Sequence, residues 1–232
     1  MRIKIVTFMT VELAQFEGNI NVGLYSVTTD EFSIIADSLP VKFKDTLKRV
    51  FHTEVYSFTI DPTIVGALIK ANSNGLVLSS IISQDVEDSL KKSFPDLNVK
   101  RFDFDYFALG NLILTTEKIS ILSPLIPKKT RDSIGDNLGT EVITLKLNNS
   151  DLIGSLIITN GIGAIASPLV NNNDELDTIQ DLLSLKKIDT STVNRGANFP
   201  SSGIICNSKG ALLGENSTGI ETVAITNALF PL

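Results

Sequence analysis

Short apolar runs broken by polar turns recur along this chain, and they alternate with stretches whose apolar positions return at helical spacing. The clearest case is Ile64-Val-Gly-Ala-Leu-Ile-Lys-Ala-Asn-Ser-Asn-Gly-Leu-Val-Leu78. It reads as a strand led by Gly66, a turn on Asn72 to Gly75, and a second strand. Gly154, Asn160 and Gly163 repeat the same offsets, and Asn207-Ser-Lys-Gly210 repeats the turn with Ser201-Ser-Gly203 in place of the lead. Gly110 and Gly23 lead two further copies, whose turns are Thr116-Glu-Lys118 and Thr29-Asp-Glu31. The leads fall at positions 23, 66, 110, 154 and 201, a period that predicts an array or a propeller.

Each hairpin precedes a helical stripe. The stripes are Phe43/Leu47/Val50/Phe51, Val86/Leu90/Phe94, Ile134/Leu138 behind Pro127, Leu176/Ile179/Leu182/Leu183, and Ile220/Val223/Ala224. The last begins with Thr218-Gly-Ile-Glu221, a capping-box spelling. A closing strand follows in four units, at Val55–Ile60, Val99–Phe104, Val142–Leu147 and about 186–193. The fifth unit has none before Leu232, and the spare strand is Arg2–Phe8 at the other end. Assigning it to the fifth unit predicts an α/β fold, a closed ring of five β/α blades latched by the N-terminal strand, which leaves no open sheet edge. The predicted units are 18–61, 62–105, 106–149, 150–196, and 197–232 with strand 2–8, all within a single domain over 1–232. The lead glycines would let backbones crowd at the axis, and the turn Asn and Gly would tolerate positive φ. The alternative is two unrelated α+β domains with coincidental spacing.

Composition narrows the class. Hydrophobic residues make up 43% and charged residues 20%, a core-forming balance. The apolar runs are too short for a membrane helix, and Met1 to Phe8 alternates like a strand rather than a signal peptide. Cys206 is the only cysteine, so no internal disulfide is expected and the cytoplasm is the default compartment. A net charge of −6 argues against a generic nucleic-acid binder. No zinc-ligand cluster and no phosphate loop is spelled out, so neither a metal nor a cofactor is expected.

Three stretches carry a resemblance. Thr192-Val-Asn-Arg-Gly196 with Gly203-Ile-Ile-Cys-Asn207, Ala108-Leu-Gly-Asn111, and Asn72-Ser-Asn-Gly-Leu-Val77 with Leu90 and Phe94-Pro-Asp-Leu97 resemble the translation initiation factor 6 family over essentially the whole chain. The chain ends directly after its fifth helix, without the tail of eukaryotic members, so it resembles the archaeal type. The resemblance implies the pentein fold and a ribosome anti-association factor, not an enzyme. Such a factor binds the large ribosomal subunit on its intersubunit face, on a ribosomal protein near the sarcin–ricin loop and in part on that RNA loop. It would act as a monomer, by steric occupancy.

The lead loops of all five units should gather on one face. Val22, Gly23, Gly66, Ala67, Gly110, Asn111, Gly154 and Ser155 are therefore the candidate docking residues, with Asn111 supported by the shared Leu-Gly-Asn motif. The glycines could equally serve only close packing. Asn194 and Arg195 are further candidates, and Arg195 could instead brace the junction between units four and five. Penteins also include guanidino-modifying enzymes with a Cys nucleophile, which makes Cys206 the alternative reading. The chain's one histidine, His52, sits at the end of the first helix, poorly placed to meet it, and Cys206 reads better as a small core residue. Lys42 to Arg49, Lys91-Lys92 and Lys128-Lys129 with Arg131 read as solvated outer helix faces, with ribosomal RNA as a partner for one of them.

Overall fold

A computed structural model of the protein describes residues 9–232. It contains five three-stranded sheets, each built to one plan. The first has β2 (Ser26–Thr28), β3 (Phe32–Ala36) and β4 (Glu54–Phe58); the second has β5 (Ile69–Ala71), β6 (Gly75–Ser79) and β7 (Asn98–Phe102). The third has β8 (Ile113–Thr115), β9 (Ile119–Leu122) and β10 (Glu141–Thr144); the fourth has β11 (Ile157–Thr159), β12 (Gly163–Ala166) and β13 (Lys187–Thr190). In each, the hairpin is antiparallel and the closing strand joins the middle strand in parallel. Parallel neighbours need a crossover. Helices supply it here: α1 (Val41–Phe51), α3 (Gln84–Ser93), α5 (Lys128–Leu138) and α7 (Asn173–Leu182).

The fifth sheet has β14 (Ile204–Asn207) antiparallel to β15 (Gly210–Gly214), and its third strand comes from the other end of the chain. That strand is β1, Thr10–Ala14, in parallel register from Thr10 opposite Gly210 to Ala14 opposite Gly214. The expected latch at Arg2–Phe8 lies outside the described residues, and the place beside β15 is taken by the segment that follows it. Alternation alone could not separate the two, because Val11 and Leu13 continue the pattern.

The helices form where the stripes indicate. α1 buries Phe43, Leu47, Val50 and Phe51, carries Lys48 and Arg49 in its last turn, and stops at His52 in the left-handed conformation, φ 51°. α3 is capped by Ser83, whose hydroxyl accepts from the Val86 N–H, and fully buries Leu90. The last helix, α9 (Gly219–Leu229), starts with the capping box spelled by Thr218 and Glu221. Its expected apolar stripe is wrong, however: Ile220 and Val223 are exposed. The buried face holds Glu221, Ile225, Ala228 and Leu229, because α9 packs on β12 and β13 of the preceding sheet. With apolar residues on all sides of this helix, periodicity alone does not choose the face.

The strand predicted from Ile64 is also corrected. Each first strand is preceded by one helical turn: a 3₁₀ turn at Val22–Leu24, then α2 (Val65–Leu68), α4 (Leu109–Leu112), α6 (Ile153–Leu156) and α8 (Pro200–Gly203). The lead residues belong to these turns. A Cβ on Gly66 would overlap the Gly23 carbonyl oxygen, and one on Gly110 would overlap that of Gly66. Gly154 meets Gly110 in the same way, and Gly23 meets Ser201. The expected crowding at the lead glycines is therefore present.

The positive φ expected of a turn glycine appears at Gly161, at 80°, but the asparagines and the glycines three positions after them have a different role. Neither Asn72, Asn160 and Asn207 nor Gly75, Gly163 and Gly210 adopt positive φ. Each pair forms a socket for the end of a helix from another sheet. Asn72 Nδ2 donates to the Leu138 carbonyl at 2.8 Å, Asn160 Nδ2 to that of Leu229 at 2.9 Å, and Asn207 Nδ2 to that of Phe51 at 3.0 Å. The paired glycines face the carbonyls of Asn137, Ala228 and Val50 in those same helices, where a Cβ would collide. In each case the asparagine satisfies an orphan carbonyl at a helix C-terminus.

Candidate functional site

The helical turns form one continuous patch. The turn at Val22–Leu24 touches α2 and α8, α4 touches α2 and α6, and α6 touches α8. Beneath them lies a cavity of about 410 Å³ lined by Gly23, Gly66, Ala67, Gly110, Asn111 and Ser155, among others. Six of the eight lead candidates thus meet around one opening. Val22 does not: it is fully buried in the core and offers a partner no side-chain surface. Gly154 also lies outside the lining; it is buried and spaces backbones.

Asn111 is half-buried rather than projecting outward, and its Oδ1 accepts from the Ser155 hydroxyl at 2.9 Å. Ser155 in turn offers its carbonyl to the Ser201 hydroxyl at 3.1 Å. A short polar chain therefore runs from α4 through α6 to α8. Sequence reasoning missed the aromatics beside it: Tyr106, Phe107 and Phe199 are all exposed. Phe107 directly precedes α4's first turn, and Phe199 lines the cavity mouth. No signal in the chain alone marks them, because which large apolar side chains stay uncovered is decided by the fold, and only then do they indicate an interaction surface.

Asn194 and Arg195 separate in role. Both adopt positive φ, at 55° and 63°. Asn194 is buried, and its Nδ2 donates to the Ile20 carbonyl at 3.0 Å, so the expectation that it contacts a partner is corrected to a brace between the fourth unit and the N-terminal segment. Arg195 is exposed while its backbone N–H donates to Glu221 Oε2 at 3.1 Å. Glu221 also accepts from Gly196 N, Thr192 Oγ1, Thr218 N and Thr218 Oγ1. Burial alone would raise its pKa, but the hydroxyl of Thr192 and the backbone donors of Thr218, Gly196 and Arg195 outweigh that and hold it at about 2. The turn carrying Arg195 is thereby fixed on a carboxylate that is ionised at neutral pH.

Cys206 is buried, and burial pushes its thiol up to about 12. A nucleophilic cysteine needs the opposite shift. His52 is exposed at the end of α1 and lines neither this cavity nor the one behind it. The enzyme reading is not favoured. Among the described residues no three His, Cys, Asp or Glu side chains converge on a metal position, and no helix is long and apolar enough to cross a membrane.

Residues 11–228 match the eIF-6 family. The chain belongs to that family. It is 30% identical to translation initiation factor 6 of Pyrobaculum aerophilum over 91% of this chain and 95% of that protein. Against the factor of Methanocaldococcus jannaschii the identity is 32% over 92% and 95%. Against the eukaryotic translation initiation factor 6 of Dictyostelium discoideum it is 28% over 94% and 90%. This eIF-6 family member is accordingly a translation factor, and the family named from the Thr192, Ala108 and Asn72 segments is the correct one.

Proposed function

We infer that the five sheets form one closed, five-bladed disc of the pentein type, a single domain that docks on the large ribosomal subunit through its helical-turn face. There it covers the surface that meets the small subunit, and joining is blocked by occupancy alone. The partner on this reading is a basic ribosomal protein beside the sarcin–ricin loop, with the RNA loop at the edge of the footprint. A net charge of −6 suits a basic protein partner better than bare phosphates.

The observation that carries the reading is the preorganised face. Exposed Phe107 and Phe199 precede helical turns that the Asn111–Ser155–Ser201 contacts link, and exposed Arg195 stands on a turn whose backbone Glu221 holds. Little ordering entropy is then lost on docking, and exposed aromatics and arginine are the usual anchors of an interface. The test is sedimentation of mixed ribosomal subunits with and without the purified protein. Added protein should deplete joined ribosomes and migrate with the large subunit; unchanged joined ribosomes at saturating protein would refute the reading.

A further inference from the structure

The middle residues of the first strands line the cavity as a ring: Val27, Lys70, Leu114, Ile158 and Ile205. Four are aliphatic and one is lysine, so the repeat is broken at a single inward position. Lys70 is the only charged residue among those lining the cavity. Among the described residues it has no carboxylate within ion-pair distance and no hydrogen-bond acceptor. Cys206, which shares the cavity lining with it, stays a neutral thiol. Asp30 lines a neighbouring pocket instead, and its carboxylate accepts from the Ser208 N–H at 2.8 Å. Lys70 is half-buried rather than sealed from solvent, and desolvation within the cavity lowers its ammonium to about 8, so it is still charged at neutral pH. An unpaired charge in such surroundings is costly unless a counter-charge joins it.

We propose that this cavity is a binding site for a short organic monocarboxylate, with its carboxylate on Lys70 Nζ and its hydrocarbon body against Leu114, Ile158 and Ile205. The charge count favours this class. One ammonium neutralises one negative charge, whereas a phosphate dianion would leave the second charge with hydroxyl neighbours but no second cation among the described lining residues. The volume of about 410 Å³ lies in the range of small-molecule sites, and Leu24, Leu152 and Phe199 add apolar lining. Asn111 lines the same cavity, and its Oδ1 is already engaged by Ser155, which leaves its amide N–H groups to serve a second carboxylate oxygen.

The test is calorimetric titration of the full chain at pH 7 with hexanoate, its neutral isostere hexanamide, and inorganic phosphate. Hexanoate should saturate one site, with hexanamide and phosphate each at least tenfold weaker. Lys70→Met, which restores the aliphatic ring, should weaken hexanoate at least tenfold, and so should Ile158→Phe, which fills the cavity without touching the charge. No saturable hexanoate binding, equal binding of hexanamide, or tighter binding of phosphate would overturn the proposal. So would unchanged affinity in either variant. If Lys70→Met does not fold, the wild-type ligand series and Ile158→Phe still decide the matter.

Discussion

Asn207 Nδ2 donates to the Phe51 carbonyl at 3.0 Å across 156 positions of sequence, joining the turn of the last hairpin to the C-terminus of the first long helix. The same amide reaches the Thr29 carbonyl at 3.1 Å, while its Oδ1 accepts from the N–H groups of Lys209 and Gly210. One buried side chain thus closes its own turn and ties the last hairpin to the first unit. Asn207→Ala would leave two buried carbonyls without partners, at about 1–3 kcal/mol for the desolvated groups. Denaturant unfolding should show that loss, whereas Ser208→Ala, at a half-buried turn position bonded through its backbone N–H, should stay within about 0.5 kcal/mol.

Gly163 tests the socket from its other half. Its added Cβ would land on the Ala228 carbonyl oxygen, which is backbone in the buried face of α9 and cannot swing aside. Gly163→Ala should therefore displace α9 and cost upwards of about 3 kcal/mol, as overpacking against backbone does. A thermal melt that matches wild type would show that α9 is not seated on this turn.

Removing β1 uncovers the long edge of β15. Deleting residues 1–14 strips five parallel-paired residues from the fifth sheet, together with the ion pair of Glu12 with Arg49 on α1. The exposed pair itself contributes little, so the loss should come from the unpaired backbone groups. The expected outcome is a lower melting temperature and concentration-dependent aggregation, read by light scattering. Retention of both wild-type values would remove β1 as a structural latch.

Docking should depend on the turn face and not on the helices. Asn111→Ala should weaken co-sedimentation with large subunits by about 1–2 kcal/mol, through its own contact and through the loss of the Ser155 hydrogen bond. Phe107→Ala should weaken it as much or more, since an exposed aromatic anchor is lost. Lys91→Ala, on the outer face of α3 and paired there with Glu87, should change binding little. Binding abolished by Lys91→Ala but kept by Asn111→Ala would place the interface on the helices.

Acid should loosen the Arg195 turn through Glu221. Its folded pKa of about 2 lies below the ordinary carboxyl value of 4.5. The sign follows from proton binding: the unfolded chain takes up the proton first as pH falls. Stability from Glu221 is therefore complete above about 4.5 and declines towards about 2. Glu221→Gln should be less stable than wild type at neutral pH, with the gap narrowing across that window in pH-dependent unfolding. A gap independent of pH would mean that the carboxylate charge does not hold the turn.

Local chemistry was readable from the chain alone, because period, turn residues and caps are written in neighbouring positions. Gly23, Gly66, Gly110 and Gly154 announce the repeat, Phe43/Leu47/Val50/Phe51 announce α1, and Thr218 with Glu221 announce the start of α9. The segments around Asn72, Ala108 and Thr192 were enough to name the family. Tertiary structure decided what depends on distant partners. Which N-terminal segment pairs with β15, and which side of α9 is buried, are settled by surfaces many residues away. The candidate face divided for the same reason: the core takes Val22, the N-terminal segment takes Asn194, and Phe107 and Phe199 remain at the surface because nothing within the described fold covers them. Lys70 is the sharpest instance. In the sequence it is one polar residue in an apolar run, and only the convergence of five strands makes it the single charge in a shared cavity. Side-chain alternation sets which way a strand residue points, while what lies opposite is set by the other four sheets.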